Sequence, residues 1–152
     1  MPRSARPRKS YRPRELRVAP IIRYSPADET RLQLLPHVDL ERFRLGTADA
    51  EAWSTLATRV NWGAVLASRH ASDAVPAMQD AARALASIIG RHAAIGRWGV
   101  SGPQFTALAA ALNAVDDMQK QLTRRELHDA LQVVLRTQSR PDKVGELMEV
   151  FA

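Results

Sequence analysis

The sequence predicts an all-α fold, a compact bundle of about five helices preceded by a disordered or extended basic N-terminal arm. Three observations carry that expectation. Apolar residues make up 45% of the chain but aromatics only 5%, so the core must be built from Leu, Ala, Val and Ile, and Ala and Leu favour helix. Apolar positions recur at helical spacing in successive stretches, without a strong two-residue alternation. Cap and stop residues separate those stretches. At 152 residues the chain is long enough to bury one real core. The expected division is an arm over residues 1–20 and a helical domain over 21–152.

Residues 1–20 read MPRSARPRKSYRPRELRVAP. Pro2, Pro7, Pro13 and Pro20 recur too often for a helix, because each lacks an N–H and restricts its predecessor. Ile21, Ile22 and Tyr24 form a short extended piece that staples the arm to the body. Ser25-Pro26 with Asp28 and Glu29 is a helix-start signature. It opens a short helix to about Leu35, and Pro36 then starts another that Gly46 ends. A strand over 30–35 is the alternative. Thr47 is the expected cap of the next helix, whose stripe is Trp53, Leu56, Ala57, Val60, Ala64 and Ala67. Ser72 or Asp73 caps a third, with Pro76 in its tolerated first turn. Its stripe runs Met78, Ala81, Leu85, Ile88, Ile89, His92 and Ile95.

The glycine-rich GRWGVSG stretch, residues 96–102, breaks the pattern. A fourth helix starts near Pro103 and presents Phe105, Leu108, Leu112, Val115 and Leu122. Thr123 and Glu126 form a capping box ahead of a fifth helix bearing Leu127, Ala130, Leu131, Val134 and Leu135. Ser139, Arg140 and Pro141 turn the chain. A last short helix offers Val144, Leu147, Met148 and Phe151, to pack on its own chain or on a second copy.

Composition excludes several chemistries. With no cysteine there is no disulfide, thiolate zinc site, iron–sulfur cluster or cysteine nucleophile, and a reducing, cytoplasmic setting is the natural assignment. No apolar run approaches the length of a membrane span. The basic start lacks the apolar stretch of a secretory signal.

The formal charge of +6 becomes informative when placed along the chain. Arg3, Arg6, Arg8, Lys9, Arg12, Arg14 and Arg17 face Glu15 alone in residues 1–17, so the entire excess lies in the arm and the remainder is neutral. Arginines hold phosphate bidentately, and Tyr11 among them can stack on a base. Proline keeps the arm extended and lowers the ordering cost of binding. Nucleic acid is therefore the expected partner of Arg3, Arg6, Arg8, Lys9, Tyr11, Arg12, Arg14 and Arg17. The competing reading is a solubilising tail, or one that binds an acidic protein. Ala5–Lys9 and Tyr11–Arg14 resemble minor-groove arms of the AT-hook kind, without the central glycine of those arms. Neither an amphipathic basic helix nor a lipidation motif accompanies the charge, so no membrane partner is expected.

Candidate chemistry elsewhere is sparse. His37, His70, His92 and His128 fall in no metal-binding spacing, and His92 lies on the apolar stripe of its helix. Asn113, Asp116 and Asp117 share one turn and could hold a hydrated Mg²⁺. Adjacent carboxylates on a helix nevertheless diverge by about 100°, so pairing of one of them with Arg124 or Arg125 is the expected arrangement. Trp98 in the glycine-rich loop either closes the core or faces a partner. Trp62, off the main stripe of its helix, would mark an interface if exposed. A helix-turn-helix over 102–134 would place Arg124 and Arg125 at the start of a recognition helix, where Glu126 and Asp129 oppose phosphate. No nucleophile–base pair, metal set, cofactor motif or small-molecule site emerges, so the expectation is a protein that is not an enzyme.

The opening RPRKSYRPR together with LATRVNWGAVL resembles small basic proteins encoded on phages and mobile elements of proteobacteria, which share such a start and an Ala-rich helical body. The resemblance implies a bacterial cytoplasmic setting and an accessory role. The leading expectation is thus an accessory protein that contacts nucleic acid through its arm and a protein partner or a second copy through its body, with Trp62, Trp98 and Phe151 as interface residues. The alternative is an inhibitor or adaptor of a host complex, its arm filling an acidic or nucleic-acid-binding groove.

Overall fold

The computed structural model describes residues 26–138. The arm, with all eight of its expected nucleic-acid contacts, and the last segment with Phe151 lie outside them. The expected all-α bundle is what forms. Five α-helices, and no strand, occur among the described residues: α1 Pro26–Leu45, α2 Ala50–His70, α3 Val75–Ile95, α4 Gly102–Gln121 and α5 Arg124–Gln138, with a 3₁₀ turn at Ser72–Ala74. None is long and apolar enough to cross a membrane.

Helix α2 is the centre of the bundle and packs against each of the other four. It forms a three-helix core with α3 and α4, which also pack on each other; α1 lies across α2 and α4, and α5 lies on α2. The core draws largely on the predicted stripes, but Val65 and Leu66, outside the expected stripe of α2, are buried, and Ile89, Ile95 and Leu135 of the expected stripes are exposed. Leu56, Val60 and Leu66 of α2 meet Met78 and Ile88 of α3 and Leu108, Leu112 and Val115 of α4, all fully buried. One residue sets how closely these helices approach. A Cβ added to Gly63 would stand 2.8 Å from Met78 Sδ and closer still to Val115 Cγ2, so α2 meets α3 and α4 at a point where only glycine fits.

Several boundaries differ from the sequence expectation. Helix α1 is one helix, not two, and no strand forms over 30–35; Pro36 sits inside it, buried. Helix α2 is capped by Asp49 rather than Thr47: the Asp49 carboxylate accepts from Ala52 N at 2.9 Å. That bond, with help from Arg42, holds the carboxyl of Asp49 below its ordinary value. Neither Ser72 nor Asp73 caps α3; they form the 3₁₀ turn, and α3 starts from Ala74 without a side-chain cap. A capping box that the sequence reading passed over starts α4. Ser101 Oγ accepts from Gln104 N, and Gln104 Oε1 accepts from Ser101 N at 2.9 Å. The box at Thr123 and Glu126 is present as expected. Gly46 and Gly96 end α1 and α3 with φ of +75° and +69°, the left-handed geometry that favours glycine.

Candidate functional site

A polar group joins α1, α2 and α4, and its origin is Pro36. A proline inside a helix has no N–H for the carbonyl four residues back, which here belongs to Leu32. That carbonyl instead accepts from the guanidinium of Arg59, at 3.2 Å. Arg59 also lies over the ring of Trp62, 5.2 Å from its centroid. Burial pulls the Arg59 pKa below its ordinary value, while the charge of Asp116 acts in the opposite sense. Asp116 in turn bonds His37 Nε2 at 2.7 Å, tying α1 to α4. The group therefore repairs a broken helix and clamps three elements. Arg59→Ala is expected to cost about 0.5–1.5 kcal/mol, the net worth of one hydrogen bond to a carbonyl that water can reach. In a Pro36→Ala background, residue 36 supplies its own N–H to Leu32, so the same change should cost clearly less. Urea unfolding of the four proteins of this cycle measures the coupling; an equal cost in both backgrounds would disprove the repair.

Trp62 does not face a partner. It is 9% exposed, and its Nε1 donates to the Leu127 carbonyl at 3.1 Å, which fixes α5 on α2. A buried indole needs a hydrogen-bond acceptor, and the last helix of the core supplies it. Trp98 is half-buried. It stacks on His92, with ring centroids 3.8 Å apart and planes 14° apart, and meets Phe43 edge-on at 6.2 Å. Arg91 Nη1 donates to the Gly99 carbonyl at 3.0 Å, so the glycine-rich loop is held to α3. The core-closing alternative describes Trp98, and His92 is its stacking platform.

The adjacent carboxylates diverge as helix geometry requires. Asp116 turns to His37, and Asp117 lies 3.8 Å from Lys120. Among the described residues no group of three or more His, Cys, Asp or Glu could hold a metal ion. At the start of α5, Glu126 bonds back to the Thr123 amide and hydroxyl, which holds its carboxyl below the ordinary value, and Arg125 stands 3.9 Å from Asp129. The helix after the Thr123 turn thus presents paired charges rather than a free basic edge.

The surface feature that sequence reasoning missed is on α1. Pro36, Leu40 and Phe43 turn into the core. Leu34, Val38 and Leu45, at i, i+4 and i+11, point the opposite way and are 54%, 54% and 62% exposed. Leu32 and Leu35 are also exposed and connect to Val38 by steps of three, so the apolar surface is continuous around the outside of the helix. A shallow apolar groove bordered by His37, Glu41 and Arg42 runs along it. Splitting α1 at Pro36 hid this face, because neither half alone shows a second stripe.

Comparison with protein-family models, with curated proteins and with solved structures finds no match to this chain.

Proposed function

We propose that this protein is a non-enzymatic accessory protein that holds nucleic acid through its arm, while its helical body supplies the protein contact, to a partner or to a second copy. One observation carries the reading. Residues 26–138 hold twelve basic and twelve acidic side chains, whereas residues 1–25 hold eight basic ones against Glu15. Within the body, charges are also matched locally. Arg42 bridges Asp39 and Asp49, Arg44 pairs with Glu41, and Arg83 pairs with Asp80. A body of that kind neither attracts nor repels a polyanion strongly, so electrostatic attraction to phosphate falls to the arm. The resemblance of the arm and of residues 56–66 to phage and mobile-element proteins supports a bacterial, cytoplasmic setting for this role.

The test compares the full chain with one lacking residues 1–17 for binding to random duplex DNA, single-stranded DNA and RNA across a range of salt. The truncation leaves every described residue in place. Binding by the full chain and near-loss in the truncated one supports the reading. Full affinity without the arm refutes the division of labour, and no binding by either refutes the nucleic-acid contact. Light scattering and affinity capture after nuclease treatment then separate self-association from a distinct protein partner.

A further inference from the structure

We infer that α5 is a strap whose docking on α2 sets the order of the first half of α1, through a relay made of Trp62 and Arg59. The seating of α5 suits a strap. It packs on α2, and only Ala130 and Val134 of its 15 residues are buried. Helix α1, by contrast, lies across two helices and buries Pro36, Asp39, Leu40 and Phe43. An element held on one neighbour by few buried side chains opens ahead of the rest of a fold. Two hydrogen bonds tie α5 down. Trp62 Nε1 donates to the Leu127 carbonyl, and Gln138 Nε2 donates to Thr58 Oγ1, each at 3.1 Å. Thr58 and Trp62 flank Arg59 within one turn of α2.

The relay runs outward from Trp62. Its ring is the platform for the Arg59 guanidinium, 5.2 Å from the centroid. The same guanidinium donates to the Leu32 carbonyl at 3.2 Å. An arginine side chain has many rotamers to lose, so its reach to Leu32 depends on what it rests against. With α5 seated, the bond to Leu127 fixes the indole, and the indole fixes Arg59. With α5 lifted, the indole N–H loses its acceptor and turns toward water. Arg59 then loses its platform, and the carbonyl that Pro36 leaves open loses its donor. Asp116 is no substitute, because a carboxylate accepts and cannot donate to a carbonyl. Its bond to His37 holds α1 just past Pro36, which confines the loosening to the turns before it. The device couples the last described helix to the one that follows the basic arm in the chain. It stands or falls independently of nucleic-acid binding.

The test is amide exchange in the full chain with two matched variants. Ala130→Gly weakens α5, and Ala81→Gly makes the same change at an equally buried site in α3. Exchange is compared at urea concentrations that give both variants the same global stability, so any excess is local. The amides of α5 are expected to exchange about fivefold faster in Ala130→Gly, the effect of one interior glycine. Those of Gln33, Leu34 and Leu35 should follow by at least about twofold, the lower bound for one lost hydrogen bond. Adding Pro36→Ala, which gives Leu32 an N–H from its own helix, should abolish the excess in α1 and leave that in α5. Faster α5 amides with unchanged α1 amides overturn the coupling. Equal rates throughout overturn the strap, since α5 would then open only with the whole bundle. An α1 excess that survives Pro36→Ala overturns the relay through the Leu32 carbonyl.

Discussion

Gly63→Val is expected to destabilise the bundle by roughly 3 kcal/mol or more, lowering the thermal midpoint by about 10 °C. Inserting methyl groups into a well-packed core costs typically about 1–3 kcal/mol. Here the first added carbon already meets Val115 and Met78, on two different helices, so no single side chain can relax to admit it. The gain in helix propensity on removing a glycine, about 0.5 kcal/mol for valine, offsets only a fraction. Gly90 supplies the control. It lies in α3 with nothing within 4 Å of an added Cβ. Gly90→Ala should therefore stabilise by about 0.5–1 kcal/mol through backbone entropy and propensity alone. Calorimetry on the two variants reads both signs. An unchanged midpoint in Gly63→Val would mean that α2 does not approach α3 and α4 as described.

Nucleic-acid affinity should fall steeply with salt in the full chain. If the arm neutralises about five phosphates on duplex DNA, the log–log slope is roughly −4 to −5. Between about 50 and 200 mM salt that amounts to a loss of roughly 500-fold. Removing residues 1–17 should abolish most of the binding and flatten the slope toward zero, since residues 26–138 carry no net charge. A shallow slope in the full chain, about −1 or less, would mean that the seven cations do not act together on the phosphate backbone. Replacing Tyr11 by alanine separates stacking from charge. It should weaken binding to single strands, by about 1–3 kcal/mol if a base stacks there, and leave the salt slope unchanged.

Much of the core was legible because its signals are local. The stripes Leu56–Val60, Met78–Ala81–Leu85–Ile88 and Leu108–Leu112–Val115 are sets of residues one helical turn apart, and all are buried. The Thr123–Glu126 box and the glycines at 46 and 96 also act within a few residues of themselves. Errors arose where a local rule met a distant partner. The expected helix boundary at Pro36 follows from the missing N–H, but Arg59, 27 residues beyond Leu32, satisfies the Leu32 carbonyl that the proline leaves open. Trp62 lies off the main stripe of α2, which suggested exposure. It is covered because α5 returns to α2, 65 residues later, and offers the Leu127 carbonyl to its indole.

The candidate surfaces divide in the same way. The basic arm is legible from composition alone, because net charge is a sum over residues and needs no fold. The outer face of α1 is not, since it exists only when α1 runs unbroken through Pro36 and when Leu40 and Phe43 have already chosen the core. The helical class, most of the buried stripes and the segregation of charge follow from spacing and composition along the chain. Which helix is central, whether α1 is continuous, which indole is covered and which apolar face is left outward emerge only in the folded molecule. Those outcomes depend on hydrogen bonds and contacts between residues tens of positions apart, and no periodicity within one segment encodes its partner in another.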